Sequence, residues 1–160
     1  MDKSALRTAI LAQLETDLNL QLQAALNSRD EATHEESQAE NKYDMHAQEA
    51  AYLAEGQARL VNEIRESINL YVSLTLPEFT DTDAISVGAV VVMSDPKGKN
   101  TPVFIGPRAG GMELTLDSQN YLVITPSSPL GRQLLGKRVG DQVTLPGRGA
   151  PVIHRITAVR

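Results

Sequence analysis

Apolar residues recur at spacings of three and four through most of the first 76 residues. Leu11, Leu14, Leu18, Leu22 and Ala25 form one series. Ala47, Ala51, Ala54, Ala58, Val61, Ile64, Ile68 and Tyr71 form a second. This is the seam pattern of two helices packed as an antiparallel coiled coil. No proline falls between Asp2 and Leu76, and Gly56 is the only glycine there, so the backbone chemistry permits long helices. A second helix from near Glu40 to Leu74 would be roughly 50 Å long at about 1.5 Å per residue. The alanines that crowd its early part predict close helix approach near the turn.

That turn carries three overlapping capping boxes, Ser28 with Glu31, Thr33 with Glu36 and Ser37 with Glu40. Thr33 or Ser37 is the predicted N-cap of the second helix. Glu40, and Asp44 beyond it, would then face the positive end of the helix dipole.

Beyond Pro77 the period changes. Residues 77–83 read as a linker. Alternating or continuously apolar runs predict strands at Ala89–Met93, Thr101–Ile105, Glu113–Leu116, Tyr121–Ile124, Gln142–Leu145 and Val152–Val159. Asp95-Pro96-Lys97-Gly98 predicts a hairpin turn between the first two. One short helix interrupts the strands, with Ser128 as N-cap, Pro129 at the first helical position and Gly136 just past the end. Leu130, Leu134 and Leu135 supply its buried face. The predicted fold class is α+β: a coiled-coil hairpin over 1–76 with its tip near 30–44, then a small antiparallel β domain over 84–160 crossed by one helix.

Charge sharpens this picture. From Asp30 to Glu49 the chain holds Asp30, Glu31, Glu35, Glu36, Glu40, Asp44 and Glu49 against a single base, Lys42. Residues 1–76 carry six Lys/Arg and thirteen Asp/Glu, a balance of −7; residues 77–160 carry nine and seven, a balance of +2. The field of the first half repels phosphates, which excludes simple nucleic-acid coating by that half. Taken alone, the acidic tip reads first as caps on a solvated turn. Glu36 and Glu40, four apart, could also share a helix face and hold a hard cation jointly with another protein.

Other chemistries find little support. With no cysteine there is no disulfide framework and no thiolate metal site. The apolar runs are too short for a membrane span, and the first residues lack a secretory layout, so a cytoplasmic protein is expected. His34, His46 and His154 are scattered without a metal-binding array. The loop from Gly106 to Gly111 lacks the Lys-Ser/Thr ending of a phosphate-binding loop. No Ser/His/Asp arrangement follows from order and spacing.

Two stretches are similar to a known family. Glu40-Asn41-Lys42-Tyr43, with Ala47-Gln48-Glu49 and Glu55-Gly56, matches its tip and second helix. Ser128-Pro129-Leu130-Gly131-Arg132-Gln133-Leu134-Leu135-Gly136-Lys137, followed by Val139-Gly140-Asp141, matches its most recognisable C-terminal motif. Across nearly its full length the chain resembles the GreA/GreB bacterial transcription elongation factors. The resemblance implies an FKBP-like second half and RNA polymerase as partner, with Ser128, Pro129, Leu130 and Gly131 at or near the contact. It implies that the β domain docks at the rim of the secondary channel while the coiled coil enters toward the catalytic Mg²⁺. Tip carboxylates Glu40 and Glu36 would then help hold a second Mg²⁺, jointly with the polymerase, as backtracked RNA is cleaved. On this reading the chain has no catalytic residue and no cofactor of its own, touches nucleic acid only within the transcription complex, makes no membrane contact, and is a monomer.

Three departures stand against the pattern. Ser37 occupies the position of the family's tip aspartate, and serine is a poor Mg²⁺ ligand. The 107–111 loop lacks the family's acidic stretch, and the rod lacks its basic patch. A channel-occupying regulator without cleavage activity is therefore the alternative, and a non-transcriptional coiled-coil adaptor a more distant one. Prolyl isomerase activity is not expected, because Phe104 and Tyr121 are the only aromatics after the linker.

Overall fold

A computed structural model describes residues 2–33, 45–147 and 150–160. Two long helices come first, α1 (Lys3–Thr33) and α2 (Met45–Val72). Then follow β1 (Val90–Ser94), β2 (Asn100–Ile105), β3 (Glu113–Leu116), β4 (Gln119–Ile124), α3 (Pro129–Leu134), β5 (Gln142–Leu145) and β6 (Val152–Val159). The α+β class and each predicted element are present. By contacts the chain divides into two compact units, Met1–Ile10 with Leu70–Arg160, and Leu11–Asn69.

Within the helical unit Leu14 and Val61 are buried, and Leu18, Leu22, Ile64 and Ile68 are half-buried, as the predicted seam requires. Two parts of that expectation need correction. Neither Ser28 nor Thr33 starts the second helix: both lie within α1, which runs to Thr33. A helix already propagating gains one hydrogen bond per added residue, which outweighs a cap that would need extended backbone at Ser28. Asp30 and Glu31 accordingly belong to α1. Ala51 and Ala58 are exposed, because three- and four-residue steps back from Val61 carry them off the seam. The seam is partly polar as well, since the side-chain carbonyls of Gln21 and Gln57 are buried, one on each helix, with no hydrogen-bond partner among the described residues.

The six strands form one sheet in the order β3-β4-β2-β1-β6-β5. Its pairs are antiparallel except β2 with β4, which run parallel from Val103↔Leu122 to Ile105↔Ile124. The sheet is antiparallel as expected except at this one pair, which is parallel because β3 lies outside β4. The chain passes the β4 position, enters the edge, and returns by a two-residue hairpin beside β2 in β2's own direction. That hairpin is tight, with Asp117 and Ser118 both at positive φ (49° and 62°), as its turn type demands. The β1–β2 turn follows the prediction: Asp95 Oδ1 accepts from the backbone N–H groups of Lys97 and Lys99 at 2.8 Å, and Gly98 has φ 81°.

One sheet face carries the main core. Val91, Met93, Val103, Ile105, Ile124, Val143, Ile156 and Val159 pack with Ile85, Ala89 and Leu134, the last from α3. Val90 and Phe104, cross-strand partners on the opposite face, are also fully buried. Tyr71 from the end of α2 belongs to this second layer. Its hydroxyl end lies so close to Gly106 that a Cβ there would collide with the phenol oxygen, and Val123 Cγ1 would stand 3.0 Å from the same Cβ. The Tyr71 hydroxyl donates to the Arg108 carbonyl at 2.8 Å.

Cations from α1 secure the chain leaving α2. Arg7 Nη1 donates to the Leu74 carbonyl at 3.3 Å, and Lys3 Nζ donates to the Pro77 carbonyl and lies 5.0 Å from the Phe79 ring centroid. These contacts step up α1 as they step down the other chain, so the two helices run antiparallel. Burial lowers the Lys3 pKa, with Glu78 acting in the opposite sense. The following segment is also fixed: Arg138 Nε donates to the Thr82 carbonyl at 2.8 Å, and Thr80 N–H and Oγ1 both donate to Asp83 at 2.7 Å.

Tyr71→Phe should destabilise the protein by about 1 kcal/mol, the net worth of one hydrogen bond. Gly106→Ala should cost more, on the order of 1–3 kcal/mol, because the ring must move out of a packed layer. Urea unfolding followed by circular dichroism distinguishes the two. Stability should also fall at both pH extremes. The hydrogen bond from the Thr80 backbone holds Asp83 below the usual 3.8, and that from Lys99 does the same for Asp95. Their contribution is present above pH 3.8 and is lost as pH drops through the lowered values. Burial raises the Tyr71 phenol above its usual 10.0, so its contribution is lost as pH climbs past 10. Thermal melts across pH should show both arms, with this residue's share of the alkaline one absent in Tyr71→Phe.

Candidate functional site

The motif from Ser128 to Lys137 builds a rigid corner beside the sheet. Ser128 has extended backbone (φ −67°, ψ 156°) and caps α3, its Oγ accepting from Gly131 N–H at 3.0 Å. The same hydroxyl donates to the Thr125 carbonyl at 2.8 Å. Pro129 follows where no N–H is needed. Gly131 sits against the Thr125 carbonyl, leaving no room for a Cβ. Leu134 is fully buried, and Leu130 and Leu135 pack against the core. Past the helix, Gly136 (φ 79°) donates to the Ile85 carbonyl at 2.9 Å, and Ile85 donates back to Lys137 at 2.8 Å.

Of the four predicted contact residues, the structure therefore gives Ser128 and Gly131 structural work. Leu130 is half-buried, and only Pro129 is exposed. Arg132 and Arg138 are exposed as well, which gives this corner a basic rim. Gln133, which sequence reasoning assigned no role, has one. Its amide donates to the Thr144 carbonyl at 3.1 Å and accepts from the Thr144 N–H at 2.9 Å, imitating a neighbouring strand along the outer edge of β5. Nothing in the motif's spacing announces this pairing, because its partner lies eleven residues away.

The second candidate, the acidic tip, lies outside the described residues: Glu36, Ser37 and Glu40 all fall between Thr33 and Met45. Among the described residues no cluster of His, Asp or Glu is arranged to hold a metal ion. His154 is buried in β6 with Nδ1 3.2 Å from the Val152 carbonyl, a structural role. The Gly106–Gly111 loop leads into strand β3 and not a helix, so it has no phosphate-binding geometry. A shallow hollow of about 280 Å³ opens near Val90, Val92, Pro102, Tyr121 and Arg160, with Tyr121 as its one aromatic. No described helix is long and apolar enough to cross a membrane.

The corner at α3 is pinned by its cap and turn bonds and presents an exposed proline, Pro129, and two exposed arginines, Arg132 and Arg138. Residues 80–160 match the family profile described as transcription elongation factor, GreA/GreB, C-term. That span is just over half of the 160 residues, and the chain belongs to the GreA/GreB family of transcription elongation factors, whose members bind RNA polymerase. No curated protein sequence matches the chain. Among solved structures, Gfh1 (GreA factor homolog 1) of Thermus thermophilus is 19% identical, covering 94% of each chain with a TM-score of 0.39. Gfh1 of Thermus aquaticus is 23% identical over 92% of each chain, with a TM-score of 0.39. A GreA/GreB factor from Nitrosomonas europaea is 16% identical over 65% of this chain and 89% of its own, again with a TM-score of 0.39.

Separate substitutions should divide structural from contact roles at this corner. Ser128→Ala should cost about 1 kcal/mol of stability by removing the cap, and Gly131→Ala more than that. Pro129→Ser, at an exposed position, should leave the melting temperature nearly unchanged while weakening retention on immobilised core RNA polymerase. Equal retention of Pro129→Ser and wild type would remove Pro129 from the contact.

Proposed function

We propose that this protein regulates transcript elongation by binding RNA polymerase through the corner at α3, with its helix pair placed in the secondary channel. Family membership of residues 80–160 is the observation that carries the proposal. The antiparallel helix pair that precedes them supplies the part that would enter the channel. In this arrangement the chain is an accessory factor, and any RNA cleavage is performed by the polymerase.

The tip would contribute carboxylate oxygens. Glu40, with Glu36 in support, has the hard donor chemistry that suits Mg²⁺, whereas the Ser37 hydroxyl is neutral and a weak donor. Mg²⁺ belongs to the polymerase active centre, where it activates water and stabilises the leaving oxygen. This chain's role is to hold negative charge beside it, which two carboxylates alone would do only weakly away from the polymerase.

Ser37 also favours a second reading. With a serine where the family places aspartate, the tip would occupy the channel and modulate the polymerase with little or no cleavage. Both readings share the same partner and the same docking corner, and they differ at one side chain.

Purified backtracked complexes separate them. Ser37→Asp should raise RNA cleavage by roughly tenfold or more, equivalent to about 1.4 kcal/mol of added transition-state stabilisation. Glu40→Ala should abolish whatever cleavage the wild type supports. If Glu36→Ala silences an active wild type, Glu36 has taken the missing ligand's place. A wild type that neither binds polymerase nor alters cleavage leaves the adaptor reading.

A further inference from the structure

The pairing of α1 with α2 changes character partway along. At the end where α1 begins and α2 finishes, the base, large apolar groups are buried: Leu6, Ile10, Leu14 and Val61. Each helix then places a glutamine in the seam. Gln21 follows Leu14 by seven residues and Gln57 precedes Ile64 by seven, which returns each to within about 20° of that residue's helix face. Extending the antiparallel pairing from Arg7 beside Leu74 brings the two glutamines within about one turn of each other. Both side-chain carbonyls are buried and accept no hydrogen bond among the described residues.

Past these glutamines the large apolar groups are not replaced. Among the side chains described in 22–33 and 45–56 none is buried. Leu22 and Ala25 are half-buried, and Leu26 and Ala51 are exposed. Gly56, next to Gln57, lowers the helix propensity of α2 at the same level. Residues 22–57 also carry eight Asp/Glu against two Lys/Arg, so like charges gather on the weaker side.

We propose that the helix pair is built in two parts that open separately, with the Gln21 and Gln57 layer as their boundary. Residues 22–33 and 45–56 come apart together, while Lys3 to Leu20 and Ala58 to Val72 stay paired. Resistance to local opening follows the apolar surface that opening exposes. Opening the base would bring leucine, isoleucine and valine into water. Opening the far part exposes mostly small or already accessible side chains and lets two unsatisfied carbonyls regain hydration. The break is therefore favoured at the glutamine layer, which leaves a helix pair stiff at one end and compliant at the other. This device belongs to the free protein and does not depend on the polymerase proposal.

Amide hydrogen exchange on the free full-length protein, read residue by residue by NMR, tests it. Base amides should exchange slowly, and those beyond the layer roughly a hundredfold faster, with the step at the two glutamines. Added salt should narrow the gap by screening the acidic side chains. The double variant Gln21→Leu with Gln57→Leu removes the unsatisfied carbonyls and extends the apolar seam. It should slow exchange beyond the layer about tenfold or more and leave the base unchanged. Gly56→Ala is an independent arm, since an added Cβ there meets no atom within 4 Å. It should slow the far amides of both helices about fivefold, because the two segments open as one unit. Protection that rises smoothly toward the base with no step at the layer overturns the proposal. So does a double variant whose far amides exchange as fast as wild type, or a Gly56→Ala effect confined to α2.

Discussion

The contact between Tyr71 and Gly106 sets the terms for the rest of the globular unit. A buried ring from the end of α2 lies on a bare glycine backbone, and its hydroxyl is satisfied by the Arg108 carbonyl. Val90, Phe104 and Val123 are also buried, and with Tyr71 near Val123 at Gly106 they form a second apolar layer in addition to the main core. The last turn of a long helix thereby becomes part of the β domain. Lys3 and Arg7 extend the same joint by meeting the carbonyls of Pro77 and Leu74, in the segment that follows α2. Stability of the helix base and of the sheet are consequently one quantity.

Much of this was legible in sequence because the local signals agree with one another. The Ser128-Pro129 start, the leucines at 130, 134 and 135 and the Gly136 stop all specify α3, and α3 forms there. The strands were readable from alternation, and the first hairpin from Asp95 and Gly98. The parallel β2–β4 pair was not, because it depends on which strand of a hairpin lies inward, and periodicity carries no such information. Asp117-Ser118 conceals its turn for a related reason: both residues accept positive φ, yet neither announces it as glycine would.

The helices show where periodicity overreaches. A run of alanines at three- and four-residue spacing looks like a seam, but small residues also suit an exposed face, and Ala51 and Ala58 lie there. Lys3 and Gln133 were invisible for a different reason, since each acts through a backbone group distant in sequence. At the α3 corner, Ser128 and Gly131 are accounted for by the cap and by close approach to Thr125, and Arg138 holds the Thr82 carbonyl, so Pro129 and Arg132 are the exposed residues without such a role. The family motif thus mixes residues that build the ledge with residues that present it.

The proposed function rests on recognition and placement. The basic rim at α3 and the acid-rich stretch between the helices have opposite charge, in keeping with a protein that meets two different surfaces of one large partner. Placement of the tip is the central claim. Replacing the active-centre Mg²⁺ of RNA polymerase with Fe²⁺ and generating hydroxyl radicals there would test it directly. The account predicts scission of this chain around Glu36–Glu40 and protection of residues 84–160. Scission confined to the β domain, or none while the protein is bound, would contradict it.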